Sequence, residues 1–122
     1  MSGRADRRFP AAVYRHGTEP DARFTLANER TFLAWTRTAL ALVAGGVALE
    51  LLGLDLQPEL KFAASLVLII AGIITPALAW MAWGRSERAM RLSTPLPSSL
   101  LVPAVGAAVT VSGVLILLAA VI

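Results

Sequence analysis

The sequence contains no cysteine and a single histidine, His16. The first absence excludes disulfides, thiolate metal sites and a cysteine nucleophile. The second leaves a histidine-based metal centre without partners, because such a centre draws three or four side chains together. No metal is expected, and His16, beside Gly17 in a polar segment, reads as a surface residue. Charge is scarce as well. Charged residues make up 16% of the chain, against about 25% in soluble domains. No nucleophile stands beside a base, and no glycine-rich loop has the spacing that cradles phosphate. Neither an enzyme nor a cofactor is expected. Glu50, Asp55 and Glu59 lie close together, but they flank a short connection and read as solvated loop charge.

What the chain has in excess is apolar sequence. Hydrophobic residues reach 57% of the 122, above the roughly 45–50% of soluble proteins. They collect in three blocks, at about 32–54, 62–83 and 100–122, of which the second and third carry no charge. A chain of this size buries too little surface to hide three such blocks from water. At about 1.5 Å rise per residue, each crosses a hydrocarbon core of about 30 Å. The expected fold is all-α: an integral membrane protein of three transmembrane helices in a lipid bilayer. The first block begins too far from Met1 for an ordinary secretory signal, so this span is expected to be retained.

Two regions follow from the composition. Residues 1–17 carry Arg4, Arg7, Arg8 and Arg15 among Gly3, Pro10 and Gly17. They read as a basic segment that is disordered or lies on the membrane surface. Residues 18–122 form the transmembrane domain. Thr18, Pro20 and Asp21 resemble a helix start, with Thr18 as the cap. One helix is predicted from about Glu19 to Leu54, extending past the membrane at its amino-terminal end. Six arginines precede the first span, and Arg85, Arg88 and Arg91 follow the second, whereas the first connection has only Lys61 against Asp55 and Glu59. The positive-inside rule then places the amino terminus in the cytoplasm and the carboxyl terminus outside. Trp35, Trp80 and Trp83 fall at the cytoplasmic ends of their spans, as interfacial indoles do. The same topology, with anionic headgroups, accounts for the basic character, and no nucleic-acid motif is present.

Small residues recur in the first span (Ala39, Gly46, Gly53) and in the third (Gly106, Gly113), each set at intervals of seven. Helices in lipid associate through close van der Waals contact at such positions. Packing within one chain and packing between copies are both open. Pro76 should bend the second span, with Thr75 placed to satisfy the carbonyl that the proline leaves free.

Arg23, Arg30 and Arg37 are also spaced by seven. Seven residues make nearly two turns, so the three form one stripe. Arg37 lies past Trp35, in the apolar layer. Neither Glu29 nor Arg30 has an opposite charge at helical reach, so their partners belong to another helix, another subunit or a ligand. Glu29 is expected in a structural ion pair, with Arg85 or Arg88 as candidates. Two readings of the arginines stand. In one, guanidinium groups from several copies bind or conduct anions, since they engage phosphate and carboxylate in a bidentate way. In the other, they serve topology, headgroup contact and ion pairs, in a non-conducting scaffold that holds partner proteins.

The stretch Leu26-Ala27-Asn28-Glu29-Arg30-Thr31-Phe32-Leu33-Ala34-Trp35-Thr36-Arg37-Thr38 resembles the signature of the YidH-like family of small bacterial inner-membrane proteins. It is similar as well to the membrane domain of the vacuolar transporter chaperone complex, which makes polyphosphate and moves it across a membrane. The resemblance covers about residues 21–122. It implies a homo-oligomer, five copies in the chaperone complex, around a pore lined by basic residues, and a phosphate- or polyphosphate-type anion as partner. By motif position Arg30 and Arg23 match lining residues, and Arg85 or Arg88 matches a third. Arg37 departs from the eukaryotic pattern, which is uncharged there, and implies a ring deeper in the membrane.

Overall fold

A computed structural model describes residues 10–14, 17–18, 21–96 and 98–122. Their regular elements are all helical: α1 (Ala11–Tyr14), α2 (Ala22–Leu51), α3 (Pro58–Arg91) and α4 (Leu101–Val121). Of these, α2, α3 and α4 are each long and apolar enough to cross a membrane. With 30 and 34 residues, α2 and α3 reach about 45 and 51 Å, well beyond a hydrocarbon core of about 30 Å. Leu40, Ile73 and Leu117 are 72%, 66% and 63% exposed. Apolar surface on this scale suits lipid rather than water as the surrounding solvent.

The ends of the helices follow from local chemistry. Asp21, not Thr18, caps α2, and its carboxylate accepts the Arg23 amide at 2.8 Å. Thr18 instead donates its own amide to the Arg91 carbonyl at 2.9 Å; Glu19 and Pro20 lie outside the described residues. Hydrogen bonds from the Arg23 side chain, and then from its amide, hold the exposed Asp21 carboxyl below its ordinary value. α2 stops at Leu51, three residues earlier than expected, and Gly53 then turns the chain with φ +64°. α3 opens with Pro58 in its first turn, where a missing N–H costs nothing, and Gln57 caps it by accepting the Leu60 amide at 2.7 Å.

α3 runs through Gly84 to Arg91, beyond the expected end of the second span at residue 83. Nothing between 84 and 91 breaks a helix; the stop comes from Ser93, in the left-handed region at φ 55°, with the Thr94 amide folding back onto the Ala89 carbonyl at 2.9 Å. That 6→1 bond is the Schellman arrangement, made here without glycine. Pro76 lies inside α3. The carbonyl it leaves free is that of Gly72, but the Thr75 hydroxyl donates to Ala71, at 2.6 Å. Thr75 therefore does not perform the expected rescue.

α3 is the spine of the fold. α2 and α4 both pack on it and share no contact with each other. The α2–α3 seam is close because each helix offers a glycine to the other's backbone. A Cβ on Gly46 would stand 2.8 Å from the Ser65 carbonyl, and one on Gly72 would stand 2.8 Å from the Ala39 carbonyl. The Ser65 hydroxyl seals the first contact by donating to the Gly46 carbonyl at 2.7 Å. Among the described residues, a Cβ on Gly106 or Gly113 of α4 would meet no neighbouring helix within 4 Å, so the second glycine series takes no part in this packing. At the far end, the Gln57 amide joins the Ala119 carbonyl at 3.0 Å and ties the α2–α3 connection to α4.

Of the segment 1–17 expected to be disordered or surface-lying, residues 10–14 and 17 are described. Val13 and Tyr14 are buried against Trp83, with Phe32 beside them. Trp80 stacks on Trp83 at 5.2 Å, Phe32 meets Trp80 edge-on at 6.1 Å, and Tyr14 lies 6.2 Å from Trp83. This aromatic cluster marks the arginine-rich end of the α2–α3 pair.

Candidate functional site: the arginine stripe and the Glu87 clasp

The contacts between α2 and α3 fix an antiparallel register. Phe32 meets Trp80 and Ala39 meets Gly72. Arg37, between Phe32 and Ala39, is therefore level with residues near Ile74 and Thr75, inside the apolar run of α3, residues 62–83. Along α2 it lies two residues past Trp35, about 3 Å, so it enters the apolar layer from its basic end.

The same contacts fix its direction. Thr25, Asn28, Phe32, Ala39 and Gly46 face α3. At about 100° per residue, Arg23, Arg30 and Arg37 point to the opposite side of α2, and all three are exposed in the protomer. Arg23 pairs with Asp21 at 3.2 Å. Among the described residues, Arg30 and Arg37 have neither a hydrogen-bond nor an ion-pair partner. Glu29 is exposed, and within the protomer it pairs with neither Arg85 nor Arg88.

Arg85 and Arg88, also exposed, are not brought to the α2 stripe. α2 is held at Trp83 and Glu87 of α3, whereas Arg85 opens on the other side, beside Leu101 of α4. The five arginines of the sequence reading thus divide into two groups on different faces of one protomer.

Sequence reasoning missed the residues that hold this end together. Glu87, 1% exposed, accepts the Thr25 hydroxyl at 3.0 Å and the Asn28 amide nitrogen at 3.3 Å. The same Asn28 nitrogen reaches the Trp83 carbonyl at 3.0 Å. A buried carboxylate needs such donors, and all come from α2. Arg91, 6% exposed, donates to the Tyr14 carbonyl at 2.6 Å and lies 5.6 Å from the Tyr14 ring centroid. Glu87 could have been noticed, since it is the one acidic residue after Glu59. The partnership of Arg91 with Tyr14 spans 77 positions and leaves no local pattern. Among the described residues no three acidic or histidine side chains gather as a metal site.

Three spans, two of them locked by glycine and clasped by a buried carboxylate at a basic end, define a small all-helical membrane domain. The chain belongs to the DUF202 family, a domain of unknown function, whose model matches residues 23–89. It is 44% identical to the inner membrane protein YidH of Escherichia coli strain K12, over 70% of this chain and 75% of that protein. It is 51% identical to an uncharacterized protein of Mycobacterium tuberculosis strain H37Rv, over 65% of this chain and 66% of the relative. The chain thus spans just under two thirds of the length of the mycobacterial relative. No solved structure matches the chain. The matched region holds Arg23, Arg30, Arg37, Arg85, Arg88, Asn28 and Glu87.

Proposed function

We propose that this chain is a homo-oligomeric inner-membrane protein, with its amino terminus cytoplasmic, that binds or conducts phosphate-type anions without catalysing a reaction. Arg23, Arg30 and Arg37 of neighbouring α2 helices would line a shared polar vestibule. The observation that carries this reading is Arg37: an exposed arginine inside the apolar layer, on the side of α2 turned away from α3. An arginine facing lipid is costly, up to about 2.5–3.5 kcal/mol at the centre of a span on insertion scales and less toward the interface. A polar interior shared between copies removes that cost and supplies the partners that Arg30 and Arg37 lack among the described residues. Stacked guanidinium rings favour anions by charge and by bidentate hydrogen bonding. The name of the YidH relative adds the inner membrane.

The reading is tested with the double variant Arg30→Ala, Arg37→Ala in liposomes. Flux or binding of inorganic phosphate and of short polyphosphate should be lost in a variant that keeps its helix content and its assembly. A well-folded double variant with undiminished flux and binding removes the arginine stripe from the function.

A further inference from the structure

Arg85, separated from the α2 stripe, belongs to a different feature. It lines a small pocket of about 40 Å³ of mixed character, in which Arg85, Ser86, Ser98 and Ser99 stand among apolar residues that include Leu78 and Leu101. At roughly 10–15 Å³ per water-sized position, that is room for about three small polar atoms, enough to take the two free oxygens of a phosphodiester. The same Leu78 and Leu101 form the upper end of a second, larger feature, an apolar groove of about 510 Å³ between α3 and α4. Leu66, Ile70 and Ile74 wall it on α3, and Ala104 and Ala108 keep it open on α4. It runs along α3 from Ala63 to Leu78, about 22 Å at 1.5 Å per residue, against about 15 Å for one leaflet of a core about 30 Å thick. A basic pocket thus stands beside the end of an apolar groove long enough to hold an acyl chain through one leaflet, at the arginine-rich end of the molecule.

Among the described residues the charge at the top has no counter-ion. Glu87 is the last acidic residue of the sequence, and its two oxygens are taken by Thr25 and Asn28 on the opposite side of α3. No carboxylate of α3 or α4 is left for Arg85. We propose that the pocket and the groove form one site for an anionic glycerophospholipid of the leaflet at this end. Its phosphate lies on Arg85 and the serine hydroxyls, and one acyl chain lies between α3 and α4. Guanidinium suits this role because it stays charged and bridges two phosphate oxygens. The groove selects for the chain, and the arginine selects for the net negative charge.

The same phosphate chemistry could come from a free anion, and the experiment separates the two. Native mass spectrometry of the purified full chain counts bound phosphatidylglycerol, phosphatidylcholine or inorganic phosphate per protomer, with Lys61→Ala as the control. The wild type and the control should retain phosphatidylglycerol in preference to phosphatidylcholine by about tenfold, the worth of one good charged hydrogen-bonding pair. Inorganic phosphate should neither be retained nor displace the lipid. Arg85→Ala should lose that preference. Ala108→Phe, which fills the groove and leaves Arg85 in place, should lose the lipid altogether. Each variant tests a different half of the site, so misfolding of one leaves the other decisive. Wild-type retention in both variants overturns the proposal. So does displacement of the lipid by inorganic phosphate with Ala108→Phe unaffected, which would make the pocket a site for free phosphate alone.

Discussion

Glu87 of α3 and Asn28 of α2 meet at 3.3 Å across 59 positions of sequence, and the carboxylate is only 1% exposed. Asn28 has a second acceptor in the Trp83 carbonyl, and Glu87 has a second donor in Thr25. The clasp is therefore fully satisfied, and no buried side-chain polar atom among the described residues lacks a partner. Cutting it at one member strands the others. Glu87→Ala should destabilise the protein by about 1–3 kcal/mol, the cost of leaving buried donors unpaired. Glu87→Gln, which keeps one acceptor oxygen, should cost less. Thermal unfolding in detergent, run as a double-mutant cycle with Asn28→Ala, measures the coupling. Additive losses would show that the two side chains do not depend on each other.

The glycines of the α2–α3 seam make a sharper prediction, because each meets, besides the side chain of Ile69 or Val43, a backbone carbonyl that cannot swing aside. Gly46→Ala and Gly72→Ala should each force the helices apart and cost about 1–3 kcal/mol, as overpacking does. Gly106→Ala and Gly113→Ala, with open space around them, should leave the protomer's unfolding unchanged. If the α4 glycines serve contacts between copies, these two substitutions should instead shift the oligomer distribution on size-exclusion chromatography with light scattering.

Orientation is accessible because the chain has no cysteine of its own. Single cysteines at Asp55 and Thr94 fall in the two connections between the long helices, at opposite ends of α3. With the amino terminus cytoplasmic, Asp55→Cys should react with an impermeant maleimide in intact cells. Thr94→Cys should react only after permeabilisation. The reverse pattern would place the arginine-rich end outside and contradict the cytoplasmic vestibule.

Three spans were legible because each apolar block is long enough to announce itself without neighbours. The stripe of Arg23, Arg30 and Arg37 was legible for the same reason, since periodicity on one helix needs no knowledge of another. What one helix cannot reveal is the direction in which its stripe points. Grouping Arg85 and Arg88 with the α2 arginines rested on the family resemblance, and a match of basic positions says nothing about which side of α3 a residue occupies. Arg85 lies two residues from Trp83, about 200° around the helix at 3.6 residues per turn, and so faces away from α2. The clasp escaped because its members are spread over 62 positions and are common polar residues. The end of α2 was read from Thr18 when Asp21, three residues later, does the capping, because either residue type satisfies the local rule.

Because α2 and α4 each pack on α3 and not on each other, the domain has no triangular core. The clasp and the glycine seam lie wholly between α2 and α3, and α4 joins them through α3 and through the Gln57–Ala119 bond. α4 is then the helix whose loss would leave both of those fastenings whole.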